Sequence, residues 1–194
     1  MLKDNHGRII NYLRLAVTDR CNLRCFYCMP EHGLKWLSRN ELLTYEEMHR
    51  LCAILTDMGV EKIRITGGEP FVRKDLMSFL RRLSKEIKPK ELTITTNGVL
   101  TAPYINEFHD IGINSVNLSL DTLNRQRFYS ITYRDEFAAV MNTLNQLLFH
   151  NIEVKLNAVV MDGKNTQDII PLVGLTKDHP VSVRFIEEMP FNGV

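Results

Sequence analysis

Six short strand-like runs alternate with helix-period segments along the chain, and this rhythm limits the fold more than any other feature. The runs are Leu13 to Val17, Lys62 to Thr66, Leu92 to Thr96, Ser115 to Leu120, Glu153 to Val160 and Ser182 to Glu187. Between the first two, Thr44 and Glu47 form a capping box, and Met48, Leu51, Leu55 and Met58 repeat at helical spacing until Gly59. Asp75 caps a second helix carrying Leu76, Phe79, Leu80, Leu83 and Ile87, and Thr101 a third with Pro103 in its first turn. A short polar helix is expected over Asn124 to Ile131, a firmer one over Glu136 to Phe149, and another over Thr166 to Thr176. Strand and helix in strict alternation predict an α/β fold with a parallel sheet.

The strands are not the continuous apolar runs of a sheet covered on both faces. Arg14, Arg64, Lys155 and Arg184 each stand between apolar neighbours. Side chains alternate across a strand, so Thr93, Thr95 and Asn97 share a face, as do Asn117, Ser119 and Asp121, and Lys155 with Asn157. One face of most strands is polar. The expectation is a partial (β/α)6 barrel of the TIM type, helices outside and the polar face lining a solvated interior. Four cations converging there would repel one another unless an anion neutralised them, which suggests a phosphate- or carboxylate-bearing ligand.

Three of the four cysteines, Cys21, Cys25 and Cys28, follow the first strand at C-x3-C-x2-C spacing. Thiolates packed this closely suit an iron-sulfur cluster or zinc, and a triplet leaves one coordination position free. Cys52 falls on the apolar face of the first helix and reads as a core residue. The stretch from 18 to 43 is too long for a plain connection, and long loops in compact domains are usually functional. Gly67-Gly68-Glu69-Pro70 ends the second strand, where glycines let the backbone approach a ligand.

Composition narrows the field. At 194 residues and 44% hydrophobic, the chain is of one-domain size with enough apolar residues for a core. A formal charge of +1 gives no general case for nucleic acid or an acidic membrane. The N-terminus has no apolar leader segment and no run approaches transmembrane length, so a soluble, cytoplasmic protein is expected. No linker divides the chain: it reads as a single domain over 1–194, with an N-terminal extension over 1–12 and a cluster loop over 18–43.

The triplet with Tyr27 before its last cysteine, followed by a GGEP turn on the next strand, resembles the radical S-adenosylmethionine (radical SAM) superfamily. That resemblance implies that Cys21, Cys25 and Cys28 hold a [4Fe-4S] cluster whose fourth iron binds S-adenosylmethionine, source of a hydrogen-abstracting radical. It implies Gly68 and Glu69 at the methionine amino group, Tyr27 at the adenine and Ser119 elsewhere on the cofactor. Leu-Arg-Leu-Ala-Val-Thr-Asp-Arg-Cys, Cys-Met-Pro, Ile-Arg-Ile-Thr-Gly-Gly-Glu-Pro, Thr-Thr-Asn-Gly, Asn-Leu-Ser-Leu-Asp and Arg-Phe-Ile-Glu-Glu-Met-Pro, in this order, are similar to the MoaA family, GTP 3′,8-cyclases of molybdenum-cofactor biosynthesis. The similarity implies GTP contacts at Arg14, Arg64, Thr95 and Lys155, a further cofactor contact at Met189, an electron donor and a possible homodimer. Members of that family carry a second cysteine triplet for a second cluster in a C-terminal region. No cysteine follows Cys52, so a fragment inactive by itself as a cyclase is expected. A peptide-modifying radical enzyme and a non-catalytic zinc or iron-sulfur module are the alternatives. Asp19, Arg20 and Arg24 read either as loop solubilisers or as groups tuning the cluster, Trp36 as a packing residue, and the histidines show no ligand spacing.

Overall fold

The computed structural model describes residues 2–29 and 35–189, so readings that fall on Pro30, His32 and Pro190 lie outside the described residues. A hairpin of β1 (Leu2–Lys3) and β2 (Ile9–Ile10) opens the chain. Its turn is local chemistry: Asp4 accepts from the His6 and Arg8 amides at 2.9 Å, and Gly7 takes φ +77°.

Then come β3 (Tyr12–Ala16), α1 (Tyr45–Asp57), β4 (Lys62–Thr66), α2 (Leu76–Arg82), β5 (Glu91–Thr96), β6 (Ser115–Ser119), α3 (Arg125–Thr132), α4 (Phe137–Phe149), β7 (Glu153–Val160), α5 (Ile169–Asp178) and β8 (Val181–Glu187). Strands β3 to β8 form one parallel sheet in chain order. Parallel crossovers are right-handed in nearly all proteins, so a strand order that never reverses puts every helix on the same face. This is barrel topology rather than a doubly wound sheet, as the polar strand faces predict.

The helix-covered face is dry. Ile63, Ile65, Ile94, Val116, Leu118, Val154 and Leu156 are fully buried, packed with Leu80, Phe79, Phe108, Val140 and Leu147 from the outer layer. Cys52 is also fully buried there, as its place on the apolar stripe requires. Truncating one such isoleucine to alanine costs about 2–5 kcal/mol through lost transfer energy and a residual cavity.

Two helix starts differ from expectation. The Thr44–Glu47 box forms, with Glu47 N donating to Thr44 Oγ1 at 3.2 Å and Thr44 N to Glu47 Oε2 at 2.7 Å. Asp75 instead takes φ +61° and its carboxylate caps nothing, because the left-handed conformation turns it from the first free amides. Thr101 is likewise no cap. Its hydroxyl is buried against Thr96 Oγ1 at 2.8 Å, and the segment after it is a 3-10 turn, Ala102–Glu107. The polar interior is also drier than expected: Thr93 and Asn117 are buried on it.

Candidate functional site

The C-terminal ends of β3 and β4 continue side by side into their loops. Val17 N donates to Thr66 O (2.8 Å), Gly68 N to Thr18 O (2.7 Å) and Glu69 N to Arg20 O (2.8 Å). A Cβ on Gly67 or Gly68 would run into the Thr18 and Arg20 carbonyls, and Gly67 sits at φ +153°. The glycine pair therefore answers to the neighbouring backbone, a constraint that the expectation of a ligand approach did not include.

The backbone of the cluster loop is tied at several points. Arg24 N donates to Thr132 O (2.9 Å) and Phe26 N to Ile131 O (3.1 Å), docking the loop on the C-terminus of α3, while Cys28 N and Met29 N both bond Cys25 O at 2.9 Å. The Arg24 guanidinium binds Cys21 O (2.6 Å) and Leu23 O (2.7 Å) and lies 5.8 Å from the Trp36 ring. Arg24 thus shapes the loop, and Trp36 packs on it. Cys21 Sγ accepts from Leu23 N at 3.4 Å and from Asn97 Nδ2 at 3.6 Å, an amide that also reaches Asn22 Oδ1 at 2.8 Å. Cys25 feels the charge of both Cys21 and Cys28, and Cys21 that of Cys28. Burial pushes their pKa values up, Cys25 to about 12 with help from Asp121. Thiolates in such surroundings need a cationic centre.

Glu69 is fully buried. Its Oε1 accepts from Phe71 N (3.2 Å) and Thr96 Oγ1 (2.8 Å), and its Oε2 from Asn97 N (2.7 Å). Burial still outweighs these donors and raises its pKa to about 7. The carboxylate braces the GGEP turn against the end of β5. Across the rim, Tyr27 Oη donates to Asp121 Oδ2 (2.8 Å), and Asp121 Oδ1 accepts from Val159 N (2.8 Å). Burial lifts Asp121 to about 6 and, with the Asp121 charge, raises the Tyr27 phenol too. Asn165 closes this side by donating to Asp121 O and Val159 O at 2.9 and 2.8 Å.

The inner face brings the strand cations together in two groups. Arg14 and Arg64 are register partners on β3 and β4, 5.4 and 5.2 Å from the ring of Tyr12, whose hydroxyl accepts from Arg14 Nε at 3.3 Å. Burial lowers the Arg64 pKa, and the charges of Arg14 and Arg184 add to the effect. Thr95, Asn117 and Lys155 are successive register partners on β5, β6 and β7, and Arg184 Nη1 donates to Asn117 Oδ1 at 3.3 Å. Lys155 departs from the expected free cation: Glu153 on its own strand neutralises it at 2.8 Å. Among the described residues Arg14, Arg64 and Arg184 form no ion pair, and Arg64 Nε, Thr93 Oγ1 and Asn117 Nδ2 are buried without a hydrogen-bond partner. Ser119 ends β6 beside Asn157 of β7, half-buried, and Met189 lies exposed beyond β8. The braces by Asp121, Thr96 and Tyr12 are roles that strand alternation did not reveal.

Residues 15–175 match the model of the radical SAM superfamily. The chain belongs to that superfamily. It is 44% identical over 192 residues to a GTP 3′,8-cyclase of Peptoclostridium acidaminophilum, covering 98% of the chain and 59% of the relative. It is 43% identical over its whole length to the mitochondrial GTP 3′,8-cyclase of Arabidopsis thaliana, covering 50% of that protein. The chain spans between 31% and 59% of the length of curated relatives such as these. Among solved structures, Streptococcus suis SuiB superposes with a TM-score of 0.77 at 20% identity, covering 94% of this chain and 41% of that one. That likeness carries the fold alone, a radical SAM barrel of parallel strands. No helix among the described residues is long and apolar enough to cross a membrane.

Radical SAM membership implies a [4Fe-4S] cluster and S-adenosylmethionine, and the mouth of the sheet fits that pair. Among the described residues no group of three Cys, His, Asp or Glu side chains is disposed to hold one metal ion. Thiolates on separate corners of a cubane need not meet at one atom, so a cluster asks less convergence of the three cysteines than a single zinc does.

Proposed function

We propose that the chain is the radical-initiating part of a GTP 3′,8-cyclase, converting GTP to 3′,8-cyclo-7,8-dihydro-GTP at the first step of molybdenum-cofactor biosynthesis. The observation that carries the reading is Arg14 facing Arg64 without an ion pair among the described residues, on the polar face below a three-thiol mouth. The names of the relatives support it. Cys21, Cys25 and Cys28 would hold one [4Fe-4S] cluster, with Tyr27, Gly68, Glu69, Ser119 and Met189 around S-adenosylmethionine. When bound, that pair supplies hydrogen-atom abstraction from an unactivated carbon.

The chain's own residues bind and orient. Arg14 and Arg64 offer planar donor forks to a triphosphate, with Lys155, Thr95 and Arg184 beside them. The unpartnered donors Arg64 Nε and Asn117 Nδ2 gain acceptors when phosphate oxygens arrive. Tyr12 holds the two guanidiniums over its ring before the anion does so. The Glu69 and Asp121 braces fix the rim so that the nucleotide's sugar meets the mouth at a set distance. Residues 1–194 act as one domain, in a cytoplasmic setting that keeps thiols reduced, with an electron donor and a second copy of the chain as partners.

The test is anaerobic reconstitution followed by assay of 5′-deoxyadenosine. Cofactor cleavage that depends on GTP and falls about tenfold or more in Arg14→Ala or Arg64→Ala supports the reading. Cleavage driven by a peptide and indifferent to GTP assigns a peptide-modifying enzyme instead. A colourless zinc protein overturns both.

A further inference from the structure

The outer flank of the cluster loop carries a cavity of about 330 Å³ that no inner-face residue lines. Thr18 and Arg20 come from the start of the loop, Arg39 and Leu42 from its end, and Val72, Arg73 and Lys74 from the turn after GGEP. Four of these side chains are cationic and none is acidic. Among the described residues no carboxylate lines the space: Asp19, next to Arg20, has Oδ2 accepting from Leu37 N at 2.8 Å and Oδ1 buried without a partner.

Arg73 is already oriented. Its Nη1 donates to Val17 O at 2.5 Å and its Nη2 to Leu43 O at 2.7 Å, and the guanidinium stacks on Tyr45 at 4.2 Å. These partners are neutral, so the charge stays uncompensated. Arg20 Nε is buried with no hydrogen-bond partner, and among the described residues none of the four cations forms an ion pair. Like charges converge on a small cavity only at an electrostatic cost, which an oxyanion removes while satisfying the idle Arg20 donor.

We propose that this cavity is a second anion site, separate from the inner face, that takes a phosphate group. The volume is at the small end for ligand pockets, and Arg forks match phosphate geometry. Because its walls come from both ends of the loop, a bound phosphate ties the start of the cysteine segment to the chain leading into α1.

The probe is inorganic phosphate added to the full chain at constant ionic strength with chloride as control, read by calorimetry and by amide hydrogen exchange over 18–23. Saturable binding and slower exchange are expected, and the exposed pair Arg39→Ala with Lys74→Ala should weaken binding about tenfold or more. The pair Arg14→Ala with Arg64→Ala, which removes any phosphate held on the inner face, should leave the slowed exchange over 18–23 unchanged. Adenosine monophosphate binding no tighter than phosphate assigns the site to the free anion, and tighter binding assigns it to a nucleotide phosphate. No saturable binding beyond chloride, or loss that follows Arg14 and Arg64 instead, overturns the proposal. Neither result depends on cyclase activity, so the inference stands or falls apart from the proposed function.

Discussion

Glu69 shows how one side chain can carry both the shape and the pH response of the mouth. Its pKa is raised from 4.5 to about 7 by burial, so the folded state holds a proton that the unfolded chain releases. A raised acid contributes stability that is full below the unfolded pKa and lost as pH climbs through the folded one. The apo protein should therefore weaken between about pH 4.5 and pH 7, by at most about 3 kcal/mol from this group, and Glu69→Gln should flatten that slope. Urea unfolding at pH 5 and pH 8 checks it, and an unchanged slope in the variant would sink the assignment. Gly68 makes a second test at this scale. Gly68→Ala puts a Cβ against the Arg20 carbonyl, so the paired loops must separate, with a loss of about 2 kcal/mol or more and faster exchange at Gly68 and Glu69.

At the scale of elements, the loops after the strands hold one another more than the helices hold them. The cluster loop is tied to α3 by Arg24 and Phe26, to β6 and β7 through Tyr27 and Asp121, and to the GGEP turn through Gly68 and Glu69. Tyr27→Phe leaves one oxygen of a buried carboxylate without its donor and should cost about 1–3 kcal/mol, with amide exchange rising over 24–29. Asp121→Asn keeps an acceptor for Val159 N and a group that can donate to Tyr27, so it should cost less. Arg73 is the other fastening, joining Val17 to Leu43. Arg73→Lys should behave nearly like Arg73→Ala in thermal unfolding, because an ammonium cannot span two carbonyls and stack on Tyr45 at once.

At the scale of the whole molecule, unbroken strand order puts the apolar strand faces under helices and leaves the polar faces to line the barrel. The cost is cation crowding around Arg64. Arg64→Met removes a partly buried charge near Arg14 and Arg184, so the ligand-free chain should gain up to about 1 kcal/mol, while the proposed GTP binding should weaken about tenfold or more. Thermal unfolding with and without GTP separates the two effects, and a variant that loses stability without GTP would show that the crowding is already relieved.

Much of this was legible along the chain, because the information was local. Alternation in β5 and β7 declared which residues share the inner face, and Thr44 and Glu47 declared a helix start. The hairpin at the N-terminus was not read from the sequence, because two-residue strands are too short to show a strand pattern. Asp75 and Thr101 misled, since side-chain type suggests a cap while the backbone conformation and a buried neighbour decide it. What the sequence determined was the order of elements, the polar face and the triplet. Only the tertiary structure decided that Glu69 turns inward to Thr96 and Asn97, that Gly67 and Gly68 serve backbone pairing, and that Tyr27 reaches Asp121 94 residues away. Those bonds join loops from different strands, and nothing local specifies them until the sheet has brought the strand ends to one rim.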